Sequence, residues 1–229
     1  MYRKFLSARS PLRLLERGLH GGLGKGNIGL VLAGPGVGKT SVLVGVALDD
    51  LLRGGDVLHV SLDQSVTHTR TYYDTIFHEL AYSTHLEDEA RIHADVDRHR
   101  SIRAYPAAGF GPGKLREAVK FEEEAGCRPE LVVLEGFDVA DASPQEMLDM
   151  KAVAAEIQAE FWLSVACPDE RVPGIPTPIA ELGDAISVIL ALEPETDSVA
   201  LRALKDHDNP DPEALRVALD PKTLLLVRS

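Results

Sequence analysis

The sequence has few of the residues that build several kinds of protein. Its two cysteines, Cys127 and Cys167, stand forty positions apart, which offers neither a zinc spacing nor a disulfide framework and suits a reducing compartment. Nowhere do about 18 apolar residues follow one another, so no membrane span is expected. The charged opening MYRKFL leads into no apolar stretch of the signal-peptide kind. A cytoplasmic location is the expectation. The eight histidines show no metal-ligand spacing, and no Ser-His-Asp or Cys-His grouping is visible. Positive charge is also scarce: 24 Lys and Arg stand against 36 Asp and Glu, a net charge of −12, which on average repels nucleic acid and anionic membranes.

The basic residues present are unevenly spread. Arg3, Lys4, Arg9, Arg13, Arg17 and Lys25 face only Glu16 in the first thirty residues. That makes a basic arm on an acidic body, fit either to dock on its own domain or an acidic neighbouring subunit, or to touch an anionic polymer. A second cluster, RHRSIR from Arg98 to Arg103, lacks interleaved aromatics and suits a solvated face better than a nucleic-acid site.

With 45% hydrophobic residues in 229, the chain can bury the core of one domain. Residues 1–229 are read as a single unit, with 1–27 a basic arm and glycine-rich lead-in. SPLRLLERG suits a short helix, with Ser10 as cap, Pro11 in the first turn and Gly18 at the exit. IGLVLA (28–33), DVLHVSL (56–62), SIRAY (101–105), ELVVLE (130–135) and FWLSVAC (161–167) read as strands. Helices are expected over GKTSVLVGVALDDLLRGG, over 67–83, over GKLREAVKFEEEAG, and from Ser143-Pro144 through Met147, Met150, Val153, Ala154, Ile157 and Phe161. AISVILAL, SVALRAL, ALRVAL and TLLLV give a strand-rich tail. Strands alternating with helices and then following one another imply an α/β fold: a mostly parallel sheet flanked by helices, with a C-terminal antiparallel extension.

One stretch carries chemistry. AGPGVGKT, Ala33 to Thr40, lies between a predicted strand and a predicted helix, the setting of a phosphate-binding P-loop. Gly34, Gly36 and Gly38 let the backbone curl, while Pro35 and Val37 fill the loop. The helix start adds the positive end of its dipole. In such a loop Lys39 reaches the β and γ phosphates, the Thr40 hydroxyl ligates Mg²⁺ and Ser41 lies near the α phosphate.

From Gly18 to Ser65, GLHGGLGKGNIGLVLAGPGVGKTSVLVGVALDDLLRGGDVLHVSLDQS resembles the RecA-like P-loop ATPases, most of all their KaiC and RadA branch. ELGDAISVILAL is similar to that branch's late strand, and ALKDHDNP sits where the branch has a Lys-x-Arg turn used across subunit boundaries. The resemblance implies a RecA-like P-loop NTPase fold, ATP and Mg²⁺ as ligands, and a homo-oligomer with nucleotide near the subunit boundary. It also puts an adenine contact at Arg70.

The departures from that pattern fall on the hydrolytic residues. Where the resemblance implies a water-polarising glutamate, the chain has Asp63 followed by Gln64, and a carboxylate misplaced by about an ångström can cost about 100-fold in rate. Where an aspartate serves the Mg²⁺ shell, the chain has Glu135, with Asp138 as a second candidate; a longer carboxylate can act through a water. Lys205 matches the lysine of the turn, but His207 replaces its arginine. Three functions therefore stand open. The first is a slow Mg-ATPase in which Asp63 orients water, Lys39 and Mg²⁺ held by Thr40 and Glu135 stabilise the phosphoryl group, and Lys205 acts from a neighbouring subunit. The second is a nucleotide-sensing regulatory protein that binds ATP with little hydrolysis and acts through another protein. The third is a DNA-acting recombinase or translocase, disfavoured because the loop from Pro168 to Pro178 offers only Arg171 against Asp169 and Glu170.

Overall fold

The computed structural model describes residues 12–212 and 215–229. Arg3, Lys4, Arg9, the Ser10 cap, Pro11 and Ala214 of the expected ALRVAL strand lie outside the described residues. The described chain runs α1 (Leu12–Gly18), β1 (Ile28–Ala33), α2 (Lys39–Arg53), β2 (Val57–Ser61), α3 (Val66–Thr84), α4 (Glu89–His99), β3 (Arg100–Ala104), α5 (Pro112–Glu124), β4 (Leu131–Glu135) and α6 (Pro144–Ile157). It continues through β5 (Glu160–Ala166), α7 (Thr177–Ala180), β6 (Ile186–Pro194), β7 (Val199–Asp206), β8 (Val217–Leu219) and β9 (Leu226–Arg228).

All nine of these strands form one sheet in the order β3-β2-β4-β5-β1-β6-β7-β8-β9. The six from β3 to β6 are mutually parallel, and β7, β8 and β9 add on antiparallel. The expected α/β architecture with its antiparallel extension is therefore present.

The sheet is buried on both faces because its strands carry apolar residues on both. Along β1, Val31 and Ala33 join a core with α1, α2, α3 and α4, while Ile28, Leu30 and Leu32 join a second core with α5, α6 and α7. A continuous apolar run rather than an alternating one is what such a central parallel strand requires. Gly29 is part of the fit: a Cβ there would lie 2.6 Å from the ring of Trp162, its register partner on β5.

The helix ends follow local chemistry. Ser143 caps α6 by accepting from the Glu146 N–H, Ser65 caps α3 by accepting from His68 N–H, and Gly54 closes α2 in a left-handed conformation at φ 96°. Two helices were not expected from sequence, α4 and the short α7. Because β1, β2, β4 and β5 are parallel, their carboxyl ends share one edge, and that is where ligands settle in open sheets of this kind.

Candidate functional site

At that edge β1 stops at Ala33 and the chain turns into α2. Gly36 and Gly38 adopt φ values of 72° and 120°, a region that side chains with a Cβ rarely enter. The turn leaves the backbone N–H groups of residues 36–41 without an acceptor among the described residues. Six successive free donors at a helix start make a site for an anion, since the donors and the helix dipole act together. Gly34 is closely roofed: a Cβ there would lie 2.8 Å from the Glu170 Cα and 2.9 Å from the Asp169 carbonyl oxygen. The segment after β5 therefore fixes the start of the turn.

Lys39 is half-buried and folds back over the turn, its ammonium donating at 3.0 Å to the carbonyls of both Ala33 and Gly34. Burial lowers its pKa from the usual lysine value, opposed by the fields of Cys167, Glu135 and Asp63. Burial likewise raises the Cys167 thiol, which the nearby Lys39 charge opposes. Thr40, in the first turn of α2, donates its hydroxyl hydrogen to Glu135 Oε1 at 2.7 Å. Glu135 ends β4 and is only 4% exposed. Its other oxygen, Oε2, accepts from His59 Nε2 at 3.0 Å.

Asp63 stands beside this group. It is exposed, and its Oδ1 accepts from the Ser61 hydroxyl at 3.1 Å, while that same hydroxyl accepts from the Gln64 N–H. Gly136, at φ 77°, lets the two strand ends come together, because a Cβ there would meet Asp63 at 3.0 Å. The fold thus gathers Lys39, Thr40, Asp63 and Glu135 from three separate strand ends. The hydroxyl and carboxylate oxygens are hard donors, the set that Mg²⁺ takes.

Against the turn lies a cavity of about 280 Å³ lined by Gly36 to Ser41 on one side and by Tyr72, Leu219, Pro221 and Leu224 on the other. It is polar where it meets the turn and apolar on the far side. Arg70 is not among its walls. Its guanidinium turns to α4 and pairs with Asp97 at 3.1 Å. Tyr72, two residues on and therefore on another face of α3, takes the place beside the cavity.

Lys205 does not join the site within the chain. It stands opposite Ile189 in register, on a level with Leu30 of β1 and so about 10 Å short of the turn along the strands. Its ammonium donates to the Gly183 carbonyl at 2.6 Å. The His207 ring contacts the Gly22 carbonyl at 3.1 Å, and Asp138, exposed past β4, accepts from the Asp141 N–H. The RHRSIR cluster is neutralised locally: Arg98 pairs with Asp95, Arg100 with Asp97, and Arg103 with Glu122.

Sequence reasoning did not find His59, Tyr72 or Tyr73. The one available signal was a histidine in the middle of the apolar strand VLHVS. Among the described residues Asp74, His93 and Asp97 also come together with ligand atoms within 4.8 Å. Arg70 and Arg100 already pair with those carboxylates, which makes the cluster an ion-pair network and a poor cation site. A scan against protein-family models and a search of curated proteins both gave no match for this chain.

Proposed function

We propose that the chain is a Mg-ATP-binding ATPase of the RecA-like, KaiC-resembling kind, in which the turn Gly34 to Ser41 is a P-loop. The observation that carries this reading is the run of six backbone donors at 36–41 that find no acceptor among the described residues, together with the Lys39 ammonium and the Thr40–Glu135 hydrogen bond. A triphosphate oxygen can replace the two loop carbonyls as partner of the Lys39 ammonium. With its hydrogen committed to Glu135, the Thr40 hydroxyl keeps its lone pairs for a cation. Mg²⁺, when bound, would offset the charge of the β and γ phosphates. Asp63 is exposed and close enough to Lys39 to act on its charge, a position from which it can hold a water.

The cavity beyond the turn suits the base, with Tyr72 as an aromatic face and Leu219, Pro221 and Leu224 as apolar walls. In this reading Tyr72, rather than Arg70, meets the adenine. Lys205 can meet a γ phosphate only from another copy of the chain, so full activity requires a homo-oligomer. Phosphate release per subunit, followed across protein concentrations, tests this. Release that rises with concentration and is absent in Lys39→Ala supports it, and a rate per subunit independent of concentration refutes the shared site.

A second reading, an ATP-binding regulatory protein with little turnover, is favoured by one group of contacts. Lys205 and His207 are both engaged with main-chain carbonyls of their own chain, and Asp63 is one methylene shorter than the glutamate of the resembled family. ATP binding without phosphate release at any protein concentration selects it.

A further inference from the structure

Behind Glu135 lies a buried hydrogen-bonded chain. His59, in the middle of β2, is 0% exposed. It pairs in register with Val133, two residues before Glu135 on the neighbouring strand, so its ring is the diagonal neighbour of the carboxylate. A carboxylate only accepts, so His59 Nε2 carries the hydrogen of the 3.0 Å contact to Oε2. In the neutral ring Nδ1 is then the acceptor for the Tyr73 hydroxyl at 3.1 Å. Tyr73, also 0% exposed, is delivered by α3, and burial pushes its phenol well above the usual value, so it remains a donor. The Arg100 guanidinium covers the Tyr73 ring at 4.7 Å from its centre. The order is therefore Tyr73, His59, Glu135, Thr40, each hydrogen donated toward the carboxylate from both sides.

A glutamate has one more rotatable bond than an aspartate, so at a strand end it must be tethered to present one oxygen reproducibly. His59 supplies that tether. We propose that His59, with its tautomer fixed by Tyr73, is a positioning residue that holds Glu135 Oε2 so that Oε1 faces Thr40, and thereby sets the affinity of the nucleotide-loaded site for Mg²⁺. This rests on the reading that the turn binds Mg-ATP. Partners of this outer kind typically govern metal affinity by about 10–100-fold.

The test is a Mg²⁺ titration of the full chain with a fluorescent ATP derivative, reading the Mg²⁺ concentration for half-maximal tight binding. His59→Leu is expected to raise that concentration about tenfold while binding at saturating Mg²⁺ stays near the unsubstituted level. His59→Gln, which keeps an N–H donor, is expected to recover most of the loss, and Tyr73→Phe to give an intermediate rise. An unchanged Mg²⁺ requirement in folded His59→Leu overturns the proposal. Should His59→Leu not fold, the other two decide: Tyr73→Phe with an unaltered Mg²⁺ requirement overturns it, and a raised requirement in Tyr73→Phe with a smaller one in His59→Gln upholds it. If the unsubstituted chain binds the derivative without any Mg²⁺ dependence, the cation role of Glu135 falls and the proposal with it. If that chain binds no nucleotide, the P-loop reading itself has failed, an outcome visible before any variant is made.

Discussion

Replacing Asp50 by Asn should stabilise the protein at neutral pH. Asp50 lies near the end of α2, beside a cavity of about 420 Å³ whose walls include Leu15, Leu19, Leu23, Glu160 and Trp162. Its Oδ2 is buried with no hydrogen-bond partner among the described residues. Burial raises its pKa from 3.8 to about 6; Arg53 opposes the shift, and the carboxylates of Glu130, Glu160 and Asp49 add to it. The folded state therefore holds this proton more tightly than the unfolded chain does. Its contribution is fully present below about pH 4 and is lost as the pH rises through about 6, after which the ionised carboxylate is a constant cost.

A shift of about two pH units corresponds to about 3 kcal/mol, and partial solvent contact reduces that to about 1–3 kcal/mol. For a chain of this length Asp50→Asn should raise Tm by about 2–12 °C at pH 7.5. Thermal unfolding of both proteins between pH 4 and 7.5 measures it. The two should melt together near pH 4, separate progressively as the pH rises from about 4 to about 6, and keep a constant separation above that. A separation that is constant across the range, or an Asn variant that melts lower at pH 7.5, refutes the argument.

Other substitutions probe the fold and the site separately. Gly29→Ala drives a methyl to 2.6 Å from the Trp162 ring and should cost about 1–3 kcal/mol, read as a lower Tm with a change in tryptophan emission; an unaltered Tm would show that the ring yields freely. Gly136→Ala puts a Cβ into a left-handed position and 3.0 Å from Asp63, so phosphate release should fall about tenfold or more with nucleotide affinity kept. Loss of both together would instead mean that the whole edge had shifted. Tyr72→Ala should weaken ATP by about tenfold, the order of one lost stacking contact, yet leave inorganic triphosphate unaffected. Equal weakening of the two would remove Tyr72 from the base site.

Much of the sheet could be read from its apolar runs. IGLVLA and LVVLE are central strands buried along their whole length, and a run of that kind bounded by glycine or proline leaves little choice of structure. The turn between β1 and α2 was also legible, because its conformation needs the glycines at 36 and 38. The helix α4 was not. Of EARIHADVDRH only Ile92 and Val96 are buried, too few to set a period, and what holds the helix is its packing on its neighbours. His59 and Tyr73 escaped notice for a related reason. His59 meets Glu135 from 76 positions away in the sequence and Tyr73 meets His59 from 14 positions away, made neighbours only by the pairing of β2 with β4 and by the path of α3 over that face. Arg70 and Tyr72 differ by two residues on one helix, a turn of about 200° that periodicity alone cannot orient.

The most direct test of the account is equilibrium binding of a fluorescent ATP derivative in the presence of Mg²⁺, compared between the unsubstituted chain and Lys39→Ala. The account predicts saturable binding that unlabelled ATP displaces and that the substitution weakens by at least about 100-fold, the order expected when a charge-assisted phosphate contact is lost. Equal binding by the two proteins, or none by either at a concentration on the order of 1 mM, would contradict it.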